Sequence, residues 1–470
     1  MRASKWSALR KLSFTKIGGI FFVFCAAAAI ASPAQSTLFT SLASFNGTNG
    51  AGPGYVSLVR GGDGNFYGTT LFGGANDHGT VFKVTPAGAV TTLYSFCAQT
   101  NCIDGALPEA GLVLGRDGNF YGTTSGGGDY LYYGTVFKIT PAGALTTLHS
   151  FQAYPTDGDG PVAALVLGGD GNFYGTTELG GSGTFGTVFK ITPSGVLTTL
   201  YNFSDNAHGW YPYAGLVQGS DGNFYGTTEI GGSGTFGTVF KITPSGVLTT
   251  LYNFGDGAHG WYPYAGLVQG SDGNFYGTTF SGGDYSDYCG YPGCGTAFKI
   301  TPAGELTTLY SFCAQPGCAD GDGPWAGLVQ ASDGSFYGTT YGGGANFVGT
   351  VFKLTPAGSL TTLHGFCAQD GCADGEEPVA GLVQASDGNF YGTTTYGGAY
   401  TSYGTVFKIT PQGGLTTLHS FDGTDGSAPW GGLVQAPDGF FYGTTVEGGT
   451  YGNGTIFRVG VVRACVVCSP

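Results

Sequence analysis

Charge is scarce in this sequence. Asp, Glu, Lys and Arg make up 10% of 470 residues, and 16 residues are basic. Five of these, Arg2, Lys5, Arg10, Lys11 and Lys16, crowd into the start of the chain. Beyond them the arginines are Arg60, Arg116, Arg458 and Arg463. With a formal charge of −14, the chain is expected to repel nucleic acid and anionic lipid, and the excess acid is read first as a source of solubility. Low charge here does not mean disorder. Aromatics reach 15%, and a disordered chain shows the opposite balance. Helical periodicity is missing, since no segment sustains a 3.6-residue apolar spacing. Also absent are a serine-nucleophile elbow, a Walker loop and a zinc-protease signature.

One apolar run stands out, Ile17 to Ala31, directly after the basic leader. It predicts a secretory signal peptide over residues 1–31, with Ala29-Ile30-Ala31 or Ser32-Pro33-Ala34 at the cleavage site. The alternative is a membrane anchor, but a span needs about 20 residues and this run is shorter. Cleavage removes five basic residues and no acidic one, leaving a still more acidic chain. The expectation is an exported protein, secreted, periplasmic or at the cell surface, with no stable membrane span.

Cysteine usage agrees with export. Of 11 cysteines, Cys25 leaves with the leader. The rest form five close pairs: Cys97/Cys102, Cys289/Cys294, Cys313/Cys318, Cys367/Cys372 and Cys465/Cys468. An even count in local pairs predicts disulfides. A zinc site needs two pairs to converge, or a histidine nearby. Cys97/Cys102, Cys313/Cys318 and Cys367/Cys372 occupy equivalent connections of different repeats, which places them too far apart to share an ion. No metal and no cofactor are expected.

Glycine, at 91 residues, is abundant because the chain repeats. Tyr-Gly-Thr-Thr begins at Tyr67, Tyr121, Tyr174, Tyr225, Tyr276, Tyr337, Tyr391 and Tyr442. Each copy precedes a Gly-Thr-x-Phe-Lys-like segment, and in the first seven a Thr-Thr-Leu-aromatic segment follows. Residues 173–203 and 224–254 are nearly identical, a sign of duplication. Within one unit, Gly215 to Gln218, Phe224 to Thr228, Thr238 to Thr243 and Leu248 to Phe254 are four predicted strands. The turns between them are Asp221-Gly222-Asn223 and Pro244-Ser245-Gly246. Four short strands per unit of about fifty residues predict an all-β, eight-bladed β-propeller. The eighth unit stops after Phe457-Arg458-Val459. Leu38 to Phe45 matches the missing strand, so the N-terminal strand is expected to complete the last blade and remove an open edge. The propeller is assigned to residues 37–459 and a tail to residues 460–470.

Asp-Gly-Asn-Phe-Tyr-Gly-Thr-Thr followed by Gly-Thr-Val-Phe-Lys-Ile-Thr-Pro closely resembles the GloVer tandem repeat of bacterial exported proteins. The resemblance covers residues 37 to 459. It implies an extracellular propeller with one of several C-terminal anchors, and no known activity. The tail from Val461 to Pro470 departs from it in lacking a long apolar span.

In a propeller the turns alternate between two ends. The Asp-Gly-Asn and Thr-Pro-x-Gly turns share one end and barely vary. The second-to-third loops and the interblade connections share the other and vary in length and content, which suits recognition. Trp210, Trp261, Trp325 and Trp430 all lie in these connections. The residue after the connection's proline is Tyr55 (by a shifted alignment), Glu109, Val162, Tyr213, Tyr264, Trp325, Val379 or Trp430. Eightfold placement puts it around the channel mouth. Tyr55, Trp210, Tyr213, Trp261, Tyr264, Trp325 and Trp430 are therefore the candidate ligand-binding residues, since aromatic faces stack on sugars. The alternative is packing between blades. Loop tyrosines Tyr130, Tyr132, Tyr133, Tyr285, Tyr288, Tyr291, Tyr400 and Tyr403 suit adaptable binding surfaces or plain solvent-facing loops.

Other chemistry finds little support. Lys83, Lys138, Lys190, Lys241, Lys299, Lys353, Lys408 and Arg458 are expected to pair with turn aspartates Asp63, Asp117, Asp170, Asp221, Asp272, Asp333, Asp387 and Asp438, contributing about 0–1 kcal/mol each. Asp157-Gly158-Asp159-Gly160 and Asp320-Gly321-Asp322-Gly323 are too short for calcium, which takes six to eight oxygens, and are expected to be turns. His149, His364 and His419 replace strand tyrosines, while His208 and His259 lie beside Trp210 and Trp261. The arginine cluster and Asp-box of sialidase-like propellers are missing, as is the tryptophan docking repeat of quinone-dependent dehydrogenases. Glu109, Glu376 and Glu377 face the variable end and leave paired-carboxylate chemistry open. The expected function is a non-enzymatic exported binding or adhesion propeller for glycan or a protein surface partner. The alternatives are a glycan-active hydrolase or lyase, and a structural cell-surface repeat protein.

Overall fold

A computed structural model describes residues 35–463, apart from 55–56, 131, 256, 285–288, 290–292 and 401. The leader, its cleavage sites and Cys465/Cys468 lie outside the described residues.

The fourth blade shows how one repeat folds. Asp221 Oδ1 accepts the backbone N–H of Asn223 at 3.1 Å, and Oδ2 accepts its side-chain amide at 2.7 Å. Gly222, at φ +81°, supplies the left-handed turn that other residues resist. This turn joins Val217–Gln218 to Phe224–Thr228. The latter pairs antiparallel along its whole length with Thr238–Ile242, which pairs with Leu248–Asn253 across a bulge. The inner strand is shorter than expected from the sequence, because the ladder begins only at Val217. Leu216 instead packs on Gly226, where an added Cβ would lie 2.9 Å from it and 2.7 Å from the Phe240 ring. The glycine of Tyr-Gly-Thr-Thr is thus a site of close approach.

Eight such four-stranded sheets follow one another. The last consists of Val434–Gln435, Phe441–Thr445, Thr455–Arg463 and, outermost, the N-terminal strand Gln35–Ser44. The closure expected from the sequence is present. Phe45 N–H donates to the Gly454 carbonyl at 2.9 Å, and the Phe39 ring stacks on His419 at 3.4 Å.

Every residue of each Phe-Tyr-Gly-Thr-Thr strand is buried, because these strands carry the contacts between blades. Tyr225 stacks on Phe275 of the next blade at 3.8 Å. The same Tyr–Phe stack recurs at all eight junctions at 3.8–4.1 Å, ending with Tyr442 on Phe66. Further out, Phe254 meets Phe298 edge to face at 5.5 Å, again once per junction. Inside each blade the two threonine hydroxyls flanking the loop between strands two and three meet at 2.9 Å, as in Thr228 and Thr238.

The turn aspartates have a partner that the sequence reading did not assign. In every blade the tyrosine hydroxyl donates to the aspartate four residues earlier, at 2.7–3.1 Å. The expected ion pairs form at Lys138–Asp117, Lys353–Asp333 and Lys408–Asp387. Lys190 and Lys241 instead donate to the carbonyls of Pro244 and Pro302 in the adjoining blade. An exposed ion pair is worth so little that a neutral carbonyl competes with it.

Burial pushes the Asp221 carboxyl upward, but hydrogen bonds from Asn223 and Tyr225 outweigh it and hold the group below its usual range. Such a group stabilises the fold above its unfolded pKa of about 3.9. That contribution is lost as pH falls through the lowered folded value. Tyr225→Phe keeps the ring stack and removes the donor. It should lower stability by about 1–3 kcal/mol at pH 7, with a smaller deficit at pH 3, measured by chemical denaturation. An equal deficit at both pH values would contradict the assignment.

Candidate functional site

At the variable end each interblade connection lies antiparallel against the next blade's second-to-third loop. Trp210 bridges Ile230, Trp261 bridges Ser281 and Glu376 bridges Tyr396. The residue after the second strand then donates its N–H to the residue before the connection's proline: Glu229 to Tyr211 at 2.9 Å, Phe280 to Tyr262 at 3.0 Å, Tyr341 to Gly323 at 3.1 Å. Each blade therefore brings two positions to the mouth, the residue after the proline and the residue after Tyr-Gly-Thr-Thr. The proline marks the first in the sequence, and the second has no such neighbour. Its signal was the single residue that varies directly after an otherwise constant motif.

Together these positions divide the mouth into two sectors. Tyr213, Phe280, Trp325, Tyr341, Val379 and Trp430 line a pocket of about 700 Å³. Trp325 and Trp430 are 45% and 39% exposed, so a large part of each ring remains open to a ligand. Tyr264 braces the pocket, 5.4 Å from Trp325 and 5.7 Å from Phe280 between ring centres. Val379 and Trp430 also border the central channel, a space of about 570 Å³ walled by small residues such as Gly111, Ala164, Gly327 and Gly381.

The other sector is acidic. Glu109 accepts a hydrogen bond from Ser125 at 2.7 Å, and Glu229 one from Tyr264 at 3.3 Å. The half-buried Glu178 lies between them in the blade order. Its carboxyl is raised by burial and then by the charges of Glu229, Glu109 and Asp159. Tyr213 links the sectors, because burial and then Glu109, Glu178 and Glu229 raise its hydroxyl. Burial and Glu229 push Tyr264 up to about 12. Beyond the aromatic sector Glu377 sits beside Tyr341, whose hydroxyl it raises after burial does.

Of the aromatic residues singled out in the sequence, Tyr213, Trp325 and Trp430 meet in the pocket and Tyr264 adjoins it. Trp210 and Trp261 lie elsewhere, stacked on Phe185 at 4.5 Å and Phe236 at 3.9 Å, with Trp261 only 5% exposed. Tyr55, Tyr285, Tyr288 and Tyr291 fall outside the described residues, while Tyr130, Tyr132, Tyr400 and Tyr403 are exposed on the loops. His208 and His259 bond Thr250 and Thr308 of outer strands. His149, His364 and His419 bond Asp157, Asp374 and Asp425. Asp320 accepts from Tyr310 and from the N–H groups of Ala314 and Gln315. Asp157 and Asp320 thus clasp their own connections.

Cys97–Cys102, Cys289–Cys294, Cys313–Cys318 and Cys367–Cys372 are bonded as expected. The fourth C-x4-C pair, which the expected separation did not cover, does approach another. Cys289 Sγ lies 3.6 Å from Cys313 Sγ, because Cys289/Cys294 sits in a loop within its blade rather than in a connection.

Glu178 gives a direct test of the acidic sector. A carboxyl raised by folding leaves stability intact below its unfolded pKa and diminishes it as pH rises through the folded value. Glu178→Gln should therefore unfold at a higher temperature than the parent at pH 7 and at the same temperature near pH 3. Spectrophotometric titration should also place the Tyr213 hydroxyl lower in the variant.

Several solved propellers resemble the chain. A putative 6-phosphogluconolactonase from Bacteroides uniformis matches at 18% identity and a TM-score of 0.45, over 73% of this chain and 91% of that one. A puromycin hydrolase matches at 15% and 0.47, over 85% and 58%. Dipeptidyl peptidase 4 of Porphyromonas gingivalis matches at 9% and 0.46, over 85% and 56%. No curated protein sequence matches the chain. The sequence profile of the Gloeobacter/Verrucomicrobia repeat matches residues 28–133, 98–291 and 288–462, and the chain belongs to that repeat family.

Proposed function

We propose that this protein is an exported, non-enzymatic binding propeller that takes a neutral or basic glycan at the mouth of its channel. The observation that carries this reading is the 700 Å³ pocket, in which Tyr213, Trp325 and Trp430 offer partly open ring faces. Rings of this kind match the apolar faces of sugar rings, and their polar edges serve the hydroxyls. The neighbouring Glu109, Glu178 and Glu229 accept hydrogen bonds from sugar hydroxyls or amines and repel uronates and sulfates. Export is supported by the basic-then-apolar leader and by the paired cysteines. No helix among the described residues is long and apolar enough to cross a membrane.

The test is a glycan array carrying neutral, amino-sugar and acidic polymers. The parent should bind the first two classes and not the third. Trp325→Ala and Trp430→Ala should each weaken binding about tenfold or more, a loss of about 1.4 kcal/mol, while Trp210→Phe leaves it unchanged. Binding indifferent to both pocket substitutions would remove the proposal.

A second reading is a glycan-active hydrolase, favoured by the raised Glu178 carboxyl. A carboxylic acid kept protonated could donate to a leaving glycosidic oxygen while a second carboxylate, Glu109 or Glu229, activates water. New reducing ends from polysaccharide pools, lost in Glu178→Gln, would favour it over simple binding. Their absence with the parent protein would favour binding alone.

A further inference from the structure

Two of the cysteine pairs belong to the same blade. Cys289/Cys294 lies in the loop before the strand Thr296–Ile300, and Cys313/Cys318 in the connection after the strand Leu306–Ser311. These strands are antiparallel, with Thr296 opposite Ser311. Cys294 stands two residues before Thr296 and Cys313 two residues after Ser311, so the ladder delivers both to one point. Phe312 N–H donates to Gly295 and Gly323 N–H to Cys294, each within 3.0 Å, which fixes the two segments beside each other.

The four Sγ atoms all lie within 4.8 Å of one another, and Cys289 Sγ is 3.6 Å from Cys313 Sγ. Cys294, Cys313 and Cys318 are buried and Cys289 is exposed. Around a tetrahedral Zn²⁺ with Zn–S bonds of about 2.3 Å, neighbouring sulfurs stand about 3.8 Å apart. The cluster has the ligand number and one open side for entry, and reduction of its two disulfides lets the bonded sulfurs part to that spacing. Among the described residues the cysteine pairs of other connections each gather one further donor, His78 beside Cys97/Cys102 and Glu376 beside Cys367/Cys372.

We propose that Cys289, Cys294, Cys313 and Cys318 form a tetrathiolate site for Zn²⁺ or a metal of the same class when their two disulfides are reduced. Each disulfide takes two electrons and two protons from a dithiol reductant, which leaves as its own disulfide. Zn²⁺ then displaces the four thiol protons and forms four Zn–S bonds. In an oxidising compartment each disulfide closes its own segment, Cys289–Cys294 the loop and Cys313–Cys318 the connection; in a reducing one a single metal ion ties the two segments together.

The site is tested with the full chain in which the seven cysteines outside the cluster, Cys25, Cys97, Cys102, Cys367, Cys372, Cys465 and Cys468, are changed to serine. Reduced and titrated with Co²⁺ without oxygen, it should take up one ion per chain. The spectrum should show thiolate-to-cobalt charge transfer and the visible bands of tetrahedral Co²⁺, and one equivalent of Zn²⁺ should displace them. Addition of Cys289→Ser should abolish the four-sulfur spectrum. A second measurement uses the otherwise unchanged chain after reduction. Zn²⁺ should raise its Tm, and the rise should shrink in Cys289→Ser/Cys313→Ser. Absence of the cobalt spectrum, its survival in Cys289→Ser, or an equal rise in Tm with and without the two cysteines would each overturn the proposal.

Discussion

The structure depends on one interaction made eight times, the stack of a buried tyrosine on the phenylalanine of the next blade. Tyr67 on Phe120 and Tyr442 on Phe66 are the same contact at different places in the circle. The turn aspartate fixes the far end of the stacked tyrosine by accepting its hydroxyl. The aspartate is in turn held by the backbone N–H two residues on, as in Asp63 with Asn65 and Asp438 with Phe440. The constancy of Asp-Gly-x-Phe-Tyr-Gly-Thr-Thr follows from this chain of dependence. Asp orients Tyr, Tyr meets the next Phe, Gly admits the Phe and Leu packed above it, and the second Thr, through its hydroxyl contact with the threonine opposite, ties the loop that follows. A single blade makes the other contacts within itself but leaves its tyrosine and phenylalanine faces without the stack, which is why such repeats are stable only beside their neighbours.

Closure explains the two unlike ends of the chain. The eighth repeat lacks its outer strand, and Gln35–Ser44 supplies it beside Thr455–Arg463. Without that strand Phe457 would lose Phe39, and Phe82 would lose Phe45. The open edge would then expose unpaired backbone groups to other chains. The aromatic circle and the shared sheet close at the same junction, so each supports the other.

The fold was legible because its signals are local and repeated: period-two strands, Asp-Gly turns, and a missing strand whose copy lies at the other end. The stacking circle was not legible, since a residue's neighbour across a junction lies a whole repeat away along the chain. The mouth was legible in part. Position after proline pointed to Tyr213, Trp325 and Trp430. Glu178, Glu229, Phe280 and Tyr341 were hidden because they follow a strand rather than precede one, and only the ladder between connection and loop aligns the two sets. Trp210 and Trp261 show the limit of composition as a guide. Both are loop tryptophans, yet a loop phenylalanine faces each of them.

The two sectors of the mouth trace to how the repeats diverged. Residues 207–228 and 258–279 are identical in sequence, and each ends in the same buried strand. The next residue is Glu229 in one and Phe280 in the other. That one position marks the change of sector: up to Glu229 the mouth carries the carboxylates Glu109, Glu178 and Glu229, with Tyr213 reaching across, and from Phe280 on it carries Trp325 and Tyr341. The change is tolerated because the residue projects beyond the last Thr–Thr contact and takes no part in the stacks between blades. Its N–H is satisfied either way, by Tyr211 in one copy and Tyr262 in the other. The propeller thus separates what must be copied from what is free to change. An eightfold ring can present an asymmetric surface, with an acidic sector beside an aromatic one, without disturbing any contact that closes it.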